Sequence, residues 1–129
     1  MKDKYDQYFS DGFIHAVLDL HGHSKKKNIF IYGPRVPIQD SNHARMRIIP
    51  KLLSEETSMF RYFACKFKLE SSKQKTARIV LFKEFGIMNS FTIEASFQCY
   101  MSKERICKEF MPLHFEKMGR VIGHVLLKD

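Results

Sequence analysis

Tryptophan is absent from the 129 residues, and only three cysteines, four prolines and six glycines occur. The missing tryptophan excludes nothing, because twelve phenylalanines and five tyrosines supply aromatic bulk. The scarcity of cysteine says more. Cys65, Cys99 and Cys107 are odd in number and none lies in a Cys-x-x-Cys pair, which argues against a disulfide framework and against a zinc knuckle. Free, structural thiols in a reducing compartment are the expectation. No apolar run approaches the roughly 20 residues that a membrane span needs, so no membrane partner is expected. The stretch Met1 to Asp11 is polar and charged, without the pattern of a signal peptide, and a cytoplasmic location is expected. There is no internal repeat, low-complexity tract or linker.

What is present is the composition of a globular protein: 44% apolar, 13% aromatic and 28% charged residues, enough for a core. Residues 1–129 amount to one domain or part of a larger one. The net charge is +8, with a sequence pI near 9.5. Such a balance suits acidic partners: nucleic acid, anionic membrane or an acidic polypeptide. A lysine-rich soluble surface fits equally well. Part of the excess is local, in Lys25-Lys26-Lys27 and around Lys66, Lys68, Lys73 and Lys75. No helix-turn-helix, finger or RNA-binding signature accompanies it, so nucleic acid is not the expected partner.

Along the chain, residues 1–12 read as a short helix ending near Gly12. Phe13 to Leu20 is nearly continuous apolar sequence, as in a strand buried on both faces, and it stops at His21-Gly22-His23-Ser24. Ile29-Phe30-Ile31-Tyr32 is a short strand closed by Gly33-Pro34. A loop follows to Asn42, then a helix over 43–55 interrupted or kinked at Pro50. Tyr62 to Leu69 reads as a loose strand, Ser71 to Lys75 as a basic turn, and Ala77–Phe82 and Ser90–Phe97 as strands. Met111, Phe115, Met118, Ile122 and Val125 recur at spacings of three and four, the pattern of an amphipathic helix with its methionines in the core. The whole is one compact α/β piece.

Three segments could carry chemistry. In Asp19-Leu20-His21-Gly22-His23-Ser24, a strand ends in two histidines spaced so that both could face one side. Ligands bind at such carboxyl edges of α/β sheets, and neutral imidazole is a good zinc donor. Gly22 would allow close backbone approach, and Asp19 could orient the His21 ring. Spacing alone favours an ordinary polar loop. Glu94 is a lone carboxylate inside the apolar run Ser90–Phe97; burying a charge is costly unless it is paired, and a desolvated carboxylate suits general-base work. An edge strand with Glu94 in water is the plainer alternative. Lys73-Gln74-Lys75-Thr76-Ala77-Arg78 could bind a carboxylate, with Arg offering a bidentate fork, or could be a solvated loop.

Taken in this order, the segments resemble the cytosolic carboxypeptidases, zinc metallocarboxypeptidases that trim glutamate from tubulin tails. The stretch from Asp19 to Gly33 is similar to that family's sequence around its third zinc ligand. Ser72 to Val80 and Asn89 to Phe97 are similar to its closing segments, and Met118-Gly119-Arg120-Val121 to its last helix. The resemblance implies an α/β/α sandwich with a mixed central sheet, of which residues 1–129 would be the C-terminal portion, truncated at the N-terminal side. It implies His21, and not His23, as a zinc ligand, Glu94 as the general base and Arg78 as a substrate-pocket contact suited to an acidic C-terminal residue. The implied reaction is hydrolysis by metal-activated water, on acidic protein C-terminal tails of the tubulin kind. The family's upstream His-x-x-Glu pair, which supplies the other two ligands, has no counterpart here, for no His is followed by Glu at the third position. Its upstream Asn-Arg clamp is also missing, since residues 1–20 hold no arginine. A catalytic zinc takes three protein ligands plus water, so the chain alone is expected to hold zinc weakly. A non-catalytic relative that binds acidic tails is the alternative. The oligomeric state is left open by the sequence.

Overall fold

The computed structural model describes residues 14–68 and 75–128. The elements run β1 (Ala16–His23), β2 (Ile29–Tyr32), α1 (Asn42–Arg45), α2 (Ile48–Glu56), a 3-10 turn (Tyr62–Ala64), α3 (Ala77–Phe85), β3 (Asn89–Ser96), β4 (Cys99–Met101), β5 (Cys107–Glu109) and α4 (Pro112–Lys128). β3 is the middle of a three-stranded sheet, parallel to β1 and antiparallel to β2, so the sheet is mixed. β4 and β5 form a separate hairpin.

Side chains alternate across a pleated strand, and the two strand registers sort them consistently. Leu18, Ile29, Ile31, Phe91, Ile93 and Ala95 fall on one face. There they pack with Ile49 and Leu53 of α2 and Met118 and Val125 of α4 in the main apolar cluster. Ile31 and Val125 are fully buried. The opposite face carries Asp19, His21, His23, Phe30, Tyr32, Thr92, Glu94 and Ser96, and α3 lies against it through Arg78. Helices on both sides of a mixed sheet give the α/β/α layering expected from the sequence.

The two outer edges of the sheet differ. β2 is covered by residues 59–66: the Ile29 amide donates to the Met59 carbonyl, Arg61 donates to Ile29, and Lys66 donates to Ile31. Among the described residues no strand pairs with the outer edge of β1. Its residues are half-buried or exposed, and Leu20 is 71% exposed. The expected burial of this strand on both faces is therefore corrected, and it runs through His23 where the sequence suggested a stop at His21.

Other expectations change as well. Ala77–Phe85 is a helix rather than a strand, although Ile79, Val80 and Phe82 favour strands. Its end is set by Gly86 at φ +67°, whose amide donates to the Phe82 carbonyl, the αL cap that a left-handed glycine permits, and the Ile87 amide donates to Leu81 beyond it. Tyr62–Ala64 is a 3-10 turn, and the segment touches β2 through isolated bridges, Lys66 to Tyr32 and, just before the turn, Phe60 to Ile29. The helical break falls at Met46–Arg47, before Pro50. Pro50 sits in the first turn of α2, where its missing N–H had no intrahelical partner to lose. α4 opens on Pro112, and the His114 Nδ1 accepts the Met111 amide at 2.8 Å, so histidine does the reciprocal work of a capping box. Met111 and Phe115 stay exposed, whereas Met118 is core. Cys99 and Cys107 are joined as a disulfide across the β4–β5 hairpin, against the expectation of free thiols; Cys65 alone is free. The helix read for residues 1–12 and the turn residues Ser71–Gln74 lie outside the described residues.

Candidate active site

β1 and β3 are parallel with His21 opposite Glu94, Asp19 opposite Thr92 and His23 opposite Ser96. Parallel partners in register point the same way, so these six side chains share the face described above. The apolar sequence of β3 is what brings Glu94 inside. Phe91 and Ile93 are pinned into the core on one side, and alternation sends Thr92 and Glu94 to the other, where Glu94 is 9% exposed.

His21 is exposed, and its Nε2 meets the Asp19 Oδ1 at 3.0 Å, the orienting contact anticipated from their spacing. Phe97 lies directly over Gly22, its ring where a Cβ would stand, so any side chain at position 22 would have to displace that exposed ring. His23 behaves differently. Its Nδ1 accepts the backbone amides of Lys25 and Lys26 at 3.2 and 3.1 Å, and its ring packs edge-on to Phe30. An acceptor bound by two amides leaves that nitrogen no lone pair for a metal.

Arg78, at the start of α3, is 8% exposed, and its Nη1 donates to the Thr92 hydroxyl at 3.1 Å. Its guanidinium carbon lies 5.7 Å from the centre of the Tyr32 ring, and its buried Nε has no partner. An unpaired buried N–H is costly, which makes this edge of the guanidinium receptive to an anion. The structure therefore brings His21, Glu94 and Arg78 to one face, and it adds Thr92, Tyr32 and Lys26, which sequence reasoning did not single out. The Lys26 ammonium lies 5.0 Å from the Phe30 ring centre and 5.5 Å from that of Tyr32.

No family model matches the chain. Cytosolic carboxypeptidase 2 of Danio rerio is 36% identical over 110 residues, which make up 84% of this chain and 15% of that protein. Its Xenopus tropicalis counterpart is 42% identical over 110 residues, 84% of the chain and 11% of the protein. Cytosolic carboxypeptidase 3 of Mus musculus is 45% identical over 83 residues, 61% of the chain and 8% of the protein. The chain is a relative of the cytosolic carboxypeptidases. It spans no more than about a seventh of the length of these carboxypeptidases. The fold agrees: the crystal structure of a metallo-carboxypeptidase from Burkholderia cenocepacia superposes with a TM-score of 0.70 at 13% identity, over 95% of this chain and 32% of that one.

Carboxypeptidases of this fold imply a metal. The residues described here do not make its full site: among them, no group of three or more His, Cys, Asp and Glu side chains is placed to hold an ion. His21 is one donor, already turned toward Asp19, and a catalytic zinc takes three protein ligands. None of the described helices is long and apolar enough to cross a membrane.

Proposed function

We propose that the chain carries the C-terminal part of a carboxypeptidase catalytic unit that removes C-terminal residues, glutamate above all, from acidic protein tails such as those of tubulin in the cytoplasm. The β1–β3 register carries this reading, because it sets His21 beside Glu94 on the face where Arg78 is tied to Thr92. Glu94 is the general base: it takes the proton of the attacking water and returns it to the leaving amine. Arg78 offers its unpartnered edge to the side-chain carboxylate of the terminal residue. His21, steadied by Asp19, is the chain's contribution to a zinc centre whose other two ligands come from polypeptide outside residues 1–129. The edge of β1 that has no strand beside it among the described residues is the natural place for that polypeptide to join, since a strand edge invites another beside it.

Joining an upstream segment with a His-x-x-Glu pair to this chain should give release of C-terminal glutamate from a peptide, and Glu94→Gln should abolish it. A joined protein that folds and binds zinc but releases nothing would sink the reading. The incomplete ligand set favours one other possibility, a non-catalytic relative that binds acidic tails through its basic surface. Retention of a glutamate-rich peptide without hydrolysis by the joined protein would select it.

A further inference from the structure

We propose that Lys26, held in place by His23, is a second specificity-determining cation of this site, forming with Tyr32 and Arg78 a pocket for the carboxylate of an acidic side chain. The inference relies on the carboxypeptidase reading for its place in a reaction, but not for the binding itself.

Lys26 stands in a run of three lysines that looks like a solvated turn, and the structure separates it from its neighbours. Lys25 and Lys27 are exposed, whereas Lys26 is half-buried. Its ammonium hydrogen-bonds the Tyr32 hydroxyl at 3.4 Å and lies over the rings of Phe30 and Tyr32. Arg78 approaches the same Tyr32 ring from α3. Two cations thus lie 5.5 and 5.7 Å from one ring centre, where an anion would be attracted to both. Arg78 is more than nine-tenths buried with its Nε unpartnered, so the pocket has a donor awaiting an acceptor. Of the carboxylates on this face, Asp19 contacts His21, and Glu94 stands one pleat beyond Thr92, in register with His21 and Phe30.

Lys26 is in this position because the turn is fixed. The His23 Nδ1 accepts the amides two and three residues ahead, the pattern in which an Asx side chain closes a turn. The His23 carbonyl accepts the Phe97 amide, and Gln98 Nε2 donates to the Ser24 carbonyl. Asn28, at φ +66° and buried, ends the turn by donating to the Ser58 and Cys99 carbonyls and accepting the Met101 amide. His23 is accordingly a positioning residue acting through Lys26, and not a metal ligand.

The test is binding of glutarate by the chain, followed by amide and side-chain NMR, with uncharged glutaramide as control. Glutarate should shift Lys26, Tyr32 and Arg78 in a salt-sensitive way, and glutaramide should not. Lys26→Gln, which keeps the aliphatic stem over the rings, should weaken glutarate about tenfold, the scale of one charge-assisted contact. Lys26→Arg should restore it. His23→Asn keeps an acceptor for both amides and should bind as the parent does; His23→Ala should lose as much as Lys26→Gln. Equal binding of glutaramide, or undiminished glutarate binding by Lys26→Gln, overturns the pocket. In the joined, active protein, Lys26→Gln should lower the ratio of glutamate to glutamine release. A protein that is active with that ratio unmoved loses the pocket and keeps the peptidase. An inert protein that still binds glutarate through Lys26 keeps the pocket and loses the peptidase.

Discussion

The two faces of the three-stranded sheet are built from the same strands, one residue apart, and they answer to different demands. Ile29, Ile31, Phe91 and Ile93 turn toward α2 and α4 and are buried in apolar contact. Asp19, His21, Thr92 and Glu94 turn the other way and meet charge, hydroxyl and imidazole. The first face holds the fold together. The second is tolerated because the first is so well packed, for Glu94 and Arg78 are polar groups that no folding argument would place in a buried layer. A second contrast lies at the sheet's edges, since β2 is covered by residues 59–66 while β1 has no described strand beside it.

The largest effect should come from the apolar face. Ile31→Ala removes a fully buried side chain and should cost about 2–5 kcal/mol of stability in urea denaturation, with little direct effect on ligand binding. The mirror experiment on the polar face is Glu94→Gln in a joined, active protein. It should lower kcat at least about a hundredfold, the scale of a general base, while the unfolding midpoint stays close to the parent's. If Glu94→Gln instead unfolds the protein with activity lost only in proportion, the two faces are not separable in the way described.

The covered edge gives a pH test. Cys65 accepts the Ile31 amide at its Sγ, and burial pushes its thiol up to about 11 from the ordinary 9.0. The folded state then holds the proton more tightly than the unfolded one, so stability is undiminished below about pH 9 and falls between about pH 9 and 11. Denaturation at pH 8 and pH 10.5 should show that decline, and Cys65→Ala should reduce it. The smallest effect belongs to the edge of β1 that has no described strand beside it. Leu20 lies on the apolar side by register yet is 71% exposed, so Leu20→Lys should change stability by under about 0.5 kcal/mol in this chain. In a protein completed at that edge the same substitution should cost measurably more, as thermal melts of the two would show.

Much of this was legible in the residues. Ile29–Tyr32 and the run around Glu94 read as strands because apolar sequence bounded by Gly-Pro or polar residues has few other solutions. The two-residue spacing of Asp19, His21 and His23 already placed them on one side. α3 was not legible: Ile79-Val80-Leu81-Phe82 favours a strand locally, and the helix is decided by the Gly86 cap and by packing on β1 and β3. The Cys99–Cys107 link depends on a hairpin whose strands are three residues each and give no periodic signal. The family resemblance points to Arg78, but its hold on Thr92, fourteen positions away, depends on how α3 crosses the sheet. Lys26 was hidden in a charge run, since nothing in the sequence says that Phe30 and Tyr32 would face it.

We propose that this chain supplies one side of a metal-dependent site, for its described residues do not make the rest. It is tested most directly by measuring zinc in the purified chain after dialysis, beside His21→Ala and beside the chain joined to a His-x-x-Glu segment. The chain and its His21→Ala variant should hold negligible zinc, and the joined protein about one zinc per molecule, lost when His21 is replaced. About one tightly held zinc in the chain by itself, or a joined protein whose zinc survives His21→Ala, would contradict it.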